Sequence, residues 1–202
     1  MSLDGFSMSA LAHELADALT GGRIDKINQP NKQSVILSVR QPGKNFLLYI
    51  NTNASNPSAH LIEAAPENPA EPPTFVMLLR KQLETGRIAA VRQERRDRIL
   101  HLDIDIIAGG GRIVTRTLTL ELIGKYSNII LHEGGTIIEA LRRIGENSSR
   151  VRTVFKGVPY TLPPAQDKCD LFAADIDDIA ARVRNAGETK IFQALISAVL
   201  GF

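Results

Sequence analysis

The sequence predicts an α+β fold: an antiparallel β-sandwich or barrel with a few helices packed on it. Three observations carry this. Short runs of alternating apolar residues recur with turn residues between them. Other stretches repeat their apolar residues at helical spacing instead. The longest alternating pair, residues 96–125, is divided by a glycine turn and reads as a hairpin.

Taken in order, Met8, Leu11, Leu15 and Leu19 predict a helix over Ser7 to Thr20, closed by Gly21-Gly22. Strands follow at Arg23 to Gln29, Ser34 to Gln41, Asn45 to Thr52 and Ser58 to Ala64, with Pro30-Asn31 and Pro42-Gly43 as turns. The stretch APENPAEPP, 65–73, carries four prolines and predicts a stiff, extended connector. A second helix is expected from Thr74, as N-cap, to Gly86, with Phe75, Leu78, Leu79 and Leu83 on its inner face. Strands resume at Arg87 to Arg95, Arg98 to Ile107, Ile113 to Ile123, Asn128 to His132 and Thr136 to Leu141. Residues 150–165 are irregular and hold Pro159, Pro163 and Pro164.

Beyond them the composition turns helical. Ile176, Ile179, Ala180 and Val183 share one spacing, then Ile191, Leu195, Ile196 and Val199. The chain stops at Gly201-Phe202 with that pattern still running. We therefore expect an N-terminal piece of a longer protein.

Hydrophobic residues make up 44% of the 202 and charged ones 23%, which excludes a disordered chain. A net charge of +2 does not announce a nucleic-acid protein by itself. The distribution says more: between Arg80 and Arg98 seven bases face three acids, whereas from Thr161 onward six acids outnumber four bases. The single cysteine, Cys169, cannot form an internal disulfide, which fits a reducing compartment. No signal peptide or membrane-length run is visible, so a cytoplasmic protein is expected, with no membrane partner.

The hairpin carries the chemistry. His101, Asp103 and Asp105 alternate with leucines and isoleucines; Thr115, Thr117 and Thr119 do the same on the other arm. Residues directly opposed in an antiparallel pair share a face, so burial selects the register. Setting Leu102 against Leu118 and Leu100 against Leu120 keeps leucines together and places Ile99 opposite Glu121. His101 and Thr119 then fall on the other, wetter face. Asp97-Arg98 and the stretch Glu121 to Lys125 emerge at one end as one surface. That surface offers a cation, a planar guanidinium, two carboxylates and the Tyr126 ring. Arginine and lysine bind phosphates, carboxylates accept from base amino groups, and aromatics stack on unpaired bases. The residues alone leave two readings open: a salt-bridged hairpin end with a polar turn, or a nucleic-acid contact.

Several stretches together carry a resemblance. They are Asp4-Gly5, GGRIDKINQP (21–30), ENPAEPPTFVMLLRK (67–81), Asp97-Arg98, ELIGKYSNIIL (121–131) and LPPAQDK (162–168). In this order the sequence resembles the NFACT-N domain of the RqcH/NEMF ribosome quality-control family, whose bacterial members have carried the name fibronectin-binding protein A. The departures are Tyr126, where members commonly have histidine, and Ile123, where they have methionine. The resemblance implies a sandwich over 1–175 like the N-terminal domain of formamidopyrimidine-DNA glycosylases, followed over 176–202 by the start of a helix-hairpin-helix-like domain. It implies a factor that binds the large ribosomal subunit with obstructed peptidyl-tRNA and recruits alanyl-tRNA for C-terminal alanine tailing. Asp97-Arg98 and Glu121 to Lys125 match positions the family uses at the tRNA anticodon loop. With the turn residues, the expected tRNA-binding set is Asp97, Arg98, Glu121, Gly124, Lys125, Ser127 and Asn128; Tyr126 is left out of it.

Three rival readings remain. A glycosylase needs an N-terminal proline followed by glutamate, but this chain reads Met1-Ser2-Leu3-Asp4, so no enzyme is expected and Asp4 reads as structural. A metal site at His101, Asp103 and Asp105 competes with a solvated strand face, and neither metal nor cofactor is expected. A surface adhesin binding fibronectin is the alternative from a different class.

Overall fold

The computed structural model describes residues 4–145, 152–164, 175–187 and 189–199. Cys169, residues 165–168 of the LPPAQDK stretch and Gly201-Phe202 lie outside them.

The first helix, α1 (Gly5–Leu19), begins two residues earlier than the spacing predicts because Asp4 caps it: its Oδ1 accepts from the Ser7 N–H at 2.7 Å. A meander of four strands follows: β1 (Arg23–Asn31), β2 (Ser34–Gln41), β3 (Lys44–Asn51) and β4 (Ser58–Ile62). Pro30-Asn31 is strand rather than turn. An irregularity between Asn28 and Asn31 accommodates the proline, and the turn falls one step later, where Asn31 Oδ1 accepts from Gln33 N–H. The proline-rich connector leads to α2 (Thr74–Leu83). Thr74 is its first helical residue and not its N-cap; Pro73 holds the cap position without a side-chain bond. Gly86 is not a helix end but a close-approach residue. A Cβ there would stand 2.7 Å from the Ile104 methyl and 2.9 Å from the Leu83 carbonyl.

The second meander is β5 (Arg87–Gln93), β6 (Ile99–Ile107), β7 (Ile113–Glu121), β8 (Asn128–Glu133) and β9 (Thr136–Ala140). All nine strands form one antiparallel sheet, in the order β4-β3-β2-β1-β5-β6-β7-β8-β9. Its two wings meet at a single aligned pair, Arg23 with Arg87. The expected sandwich is thus a single sheet in two wings. One apolar cluster draws on both: Ile24, Leu37 and Leu48 from the first, Leu100, Leu102, Leu120 and Leu131 from the second. Met8, Leu15 and Leu19 of α1 and Phe75, Val76, Leu79 and Leu83 of α2 complete it. Each such side chain contributes about 1.5–3 kcal/mol by leaving water.

The second wing is covered on its other face too. Residues 152–160 lie across β9, with Val154 packing on Ile130, Ile137 and Ala140. This corrects the wetter-face expectation: His101 is 3% exposed and Thr119 fully buried. Two more helices, α3 (Ile176–Asn185) and α4 (Ile191–Ala198), pack on each other. Asp175 caps α3 through the Asp177 N–H. Along α4 the apolar stripe is divided: Ala194, Ala198 and the following Val199 are buried, while Ile191 and Phe192 face outward.

Candidate nucleic-acid interface

The hairpin register is the one that leucine pairing selects. Leu100 aligns with Leu120, Leu102 with Leu118, and Ile99 with Glu121. One further bond extends the ladder past the strand: Leu122 N–H donates to the Arg98 carbonyl at 2.8 Å. The segments 94–98 and 122–127 are therefore neighbours by backbone pairing.

The 94–98 loop closes through Asp97 N–H to the Glu94 carbonyl, with Arg95 in the left-handed region. Gln93 Nε2 donates to the carbonyls of Asp97 and Gly5, tying the loop to the start of α1. The Asp97 carboxylate accepts from the backbone N–H of Arg98 at 2.7 Å. It orders the main chain there. Among the described residues the Arg98 guanidinium has no hydrogen-bond or ion-pair partner.

The 124–126 segment is a single 3-10 turn. Gly124 has φ +51°, a conformation that suits glycine, and a Cβ there would lie 3.8 Å from the Ala54 carbonyl of the β3–β4 loop. Ser127 is buried and its hydroxyl donates back to Gly124 O. Asn128 is buried as well. Its Oδ1 accepts from the N–H groups of Ile129 and Arg142, and its Nδ2 donates to the Arg142 carbonyl. Arg142 also donates through Nη1 to the Lys125 carbonyl at 2.6 Å. Sequence reasoning missed Arg142. Its only signal was a basic pair, Arg142-Arg143, just past a strand that runs beside Asn128.

Glu121 does not stand on the surface. It is 2% exposed and receives both Nη atoms of Arg152, at 2.7 and 3.0 Å, and the Tyr160 hydroxyl at 3.1 Å. A hydrogen-bonded row continues beside it. Thr119 Oγ1 lies 2.9 Å from both His101 Nδ1 and His132 Nε2, and His101 Nε2 is 3.3 Å from Glu94. Tyr160 stacks on His132 with centroids 4.7 Å apart. Burial pushes His132 down to about 4 and lowers His101, which the Arg92 charge lowers further. Burial and the Glu121 charge raise the Tyr160 hydroxyl.

The seven expected contact residues thus divide. Glu121, Ser127 and Asn128 spend their side chains inside the fold. Asp97 shapes the loop, and Gly124 shapes the turn. Arg98 and Lys125 remain as cations, and Tyr126, 64% exposed, has its ring 5.1 Å from the Lys125 ammonium. A guanidinium fork, a point charge and a stacking surface suit phosphate and an unpaired base. Among the described residues no group of three or more His, Cys, Asp or Glu is arranged to hold a metal ion.

The family profile of the NFACT N-terminal and middle domains matches residues 4–202. The chain belongs to this family. It is 41% identical over 181 residues to the Rqc2 homolog RqcH of Bacillus subtilis, covering 89% of this chain and 32% of that protein. The chain therefore spans about a third of the length of the curated relatives it matches. Among solved structures, the fibrinogen binding protein from Staphylococcus aureus superposes with a TM-score of 0.86 at 30% identity, over 100% of this chain and 71% of that one. The N-terminal part of the fibronectin/fibrinogen-binding protein from Streptococcus suis gives 0.86 at 31%, over 98% and 74%. The NFACT fold is thus shared over the described sheet and helices. No helix among the described residues is long and apolar enough to cross a membrane.

Proposed function

We propose that this chain is the tRNA- and ribosome-binding N-terminal part of a cytoplasmic ribosome quality-control factor. In the full protein it engages obstructed large subunits carrying peptidyl-tRNA and recruits alanyl-tRNA for C-terminal alanine tailing. The chain acts by binding and not as an enzyme. The observation that carries this reading is the pairing of the 94–98 and 122–127 segments. It sets Arg98, Lys125 and Tyr126 at one hairpin end, in a chain of the NFACT family similar to RqcH. Lys125 meets a backbone phosphate; Arg98 bonds or stacks on a base.

A second reading, a surface protein binding fibronectin or fibrinogen, is favoured by the names of the two structural neighbours. One experiment separates them. Full-length wild type and a R98A/K125A double variant are assayed for binding to purified large subunits, to tRNA, and to immobilised fibronectin and fibrinogen. The ribosomal reading expects salt-sensitive tRNA binding that the double variant loses. Binding to fibronectin or fibrinogen with none to subunits or tRNA would reject it.

A further inference from the structure

A recess lies at the base of α2. It has a volume of about 210 Å³ and is walled by Asn28 and Gln29 of β1, Asn68 and three prolines of the connector, and Val76 and Arg80 of α2. Two of the stretches quoted above, 21–30 and 67–81, thus meet on one cavity. Arg80 is fixed at its rim: Nε donates to the Ile27 carbonyl at 2.7 Å and Nη2 to Asn28 Oδ1 at 3.2 Å. Gln29 is different. It is 4% exposed, and its Oε1 is buried without a hydrogen-bond partner among the described residues. A buried carbonyl left unpaired costs about 1–3 kcal/mol, so its retention calls for an explanation.

The wall chemistry narrows the ligand. It offers three carboxamides, flat apolar proline rings and one held guanidinium. A carboxamide carries a donor and an acceptor side by side, and a half-turn about its last bond exchanges them. That pattern matches the edge of a nucleobase, where Asn and Gln make paired bonds. Proline rings offer a face for a planar ring. The volume is below that of a drug-sized pocket and suits one ring system.

The recess is connected to the proposed RNA site by a run of chain and hydrogen bonds. Two residues after Gln29, β1 ends at Asn31 and turns at Lys32-Gln33. The Gln33 carbonyl accepts from Thr52, and the Gln33 side chain accepts from Asn53. The next residue, Ala54, is the backbone neighbour of Gly124. We propose that this recess binds one unpaired nucleobase of the RNA whose backbone lies on Arg98 and Lys125. Gln29 and Asn68 read the base edge, and the connector prolines cover its face. This rests on the RNA reading above and adds a base-reading pocket to it.

The test uses uncharged nucleosides, which bypass phosphate binding. The 202-residue chain, 15N-labelled, is titrated with adenosine, cytidine, guanosine and uridine into the millimolar range. The expected result is shifts at the Gln29 and Asn68 side-chain amides and Arg80 Nε, larger for one base than the others. Gln29→Leu keeps the volume, removes the amide, and should abolish these shifts with the remaining spectrum unchanged. Asn68→Ala, at an exposed connector position, should weaken them without touching the core should the leucine variant fail to fold. In tRNA binding, either variant should lower discrimination among loop sequences about tenfold. No shifts with any nucleoside, or shifts only with a short proline- or amide-rich peptide, would overturn the pocket. Unchanged loop discrimination in both variants would do the same, even with R98A and K125A weakening tRNA. The reverse pattern, nucleoside shifts with R98A and K125A silent, would sink the RNA reading and leave a nucleoside pocket standing.

Discussion

The Arg98 carbonyl accepts a hydrogen bond from Leu122 N–H at 2.8 Å, one step beyond the paired ends of β6 and β7. That bond holds Arg98 beside the Lys125 turn across a sequence gap of 27 residues (125 − 98). The two cations differ in kind, so their loss should differ in kind. Lys125→Ala should weaken tRNA binding and reduce the salt slope by about one unit. Arg98→Ala should cost about 1–3 kcal/mol and relax discrimination between tRNAs. Binding isotherms at several salt concentrations measure both. Neither should move the melting curve by more than the equivalent of about 0.5 kcal/mol, since both sit at loop positions.

Asp97 acts through the backbone. Its carboxylate receives the Arg98 N–H at 2.7 Å, so Asp97→Ala loosens the loop that presents the guanidinium. The tRNA-binding losses of Asp97→Ala and Arg98→Ala should then be less than additive in a double-mutant cycle. Full additivity would mean that Asp97 does not work through Arg98.

Glu121 lies on the same hairpin yet predicts a different phenotype. It is 2% exposed and holds Arg152 through both guanidinium nitrogens. Removing one partner of such a pair leaves a buried charge and costs about 3–5 kcal/mol. Glu121→Ala should therefore lower the melting temperature sharply, and any tRNA defect should follow that loss. Replacing both, Glu121→Leu with Arg152→Met, should recover much of the stability. Thermal melts of the two singles and the double decide it. An unchanged melting curve in Glu121→Ala would return this residue to the RNA surface.

The contrast between these residues shows what the sequence made legible. The hairpin register could be read because any one-residue slip opposes leucine to aspartate or histidine, and Leu100 does align with Leu120. The α1 cap is local too, three residues from Asp4 to Ser7, yet apolar spacing alone started that helix two residues late. Glu121, Ser127 and Asn128 looked like surface polar residues because what engages or covers them is remote or unpatterned. Arg152 and Tyr160 come from an irregular segment 31 and 39 residues downstream of Glu121, and Arg142 lies 14 beyond Asn128. That segment has neither a strand nor a helical period, so nothing in the sequence pattern announced that it covers the second wing. The same cover hid the burial of His101. The recess at Gln29 was unreadable for a related reason: its two walls are 39 residues apart at their nearest, Gln29 to Asn68 (68 − 29), and only folding joins them.

The covered histidines predict an acid limb in stability. His132 is held near 4 by burial, against an ordinary value of about 6.5, and His101 is lowered as well. Between those values the unfolded chain takes up a proton that the folded chain refuses. Stability is then complete above about pH 6.5 and is lost as pH falls toward 4. Thr119 sharpens this. Its one hydroxyl lies 2.9 Å from both histidines, and it can accept from one ring while donating to the other only if that second ring is neutral. His132→Phe keeps an aromatic face for Tyr160 to stack on but removes the titrating group. It should lower stability at pH 7.5 and flatten the decline between pH 6.5 and 4. Denaturant midpoints for wild type and variant across that interval measure the slope, and equal slopes would show that His132 is not the group that carries it.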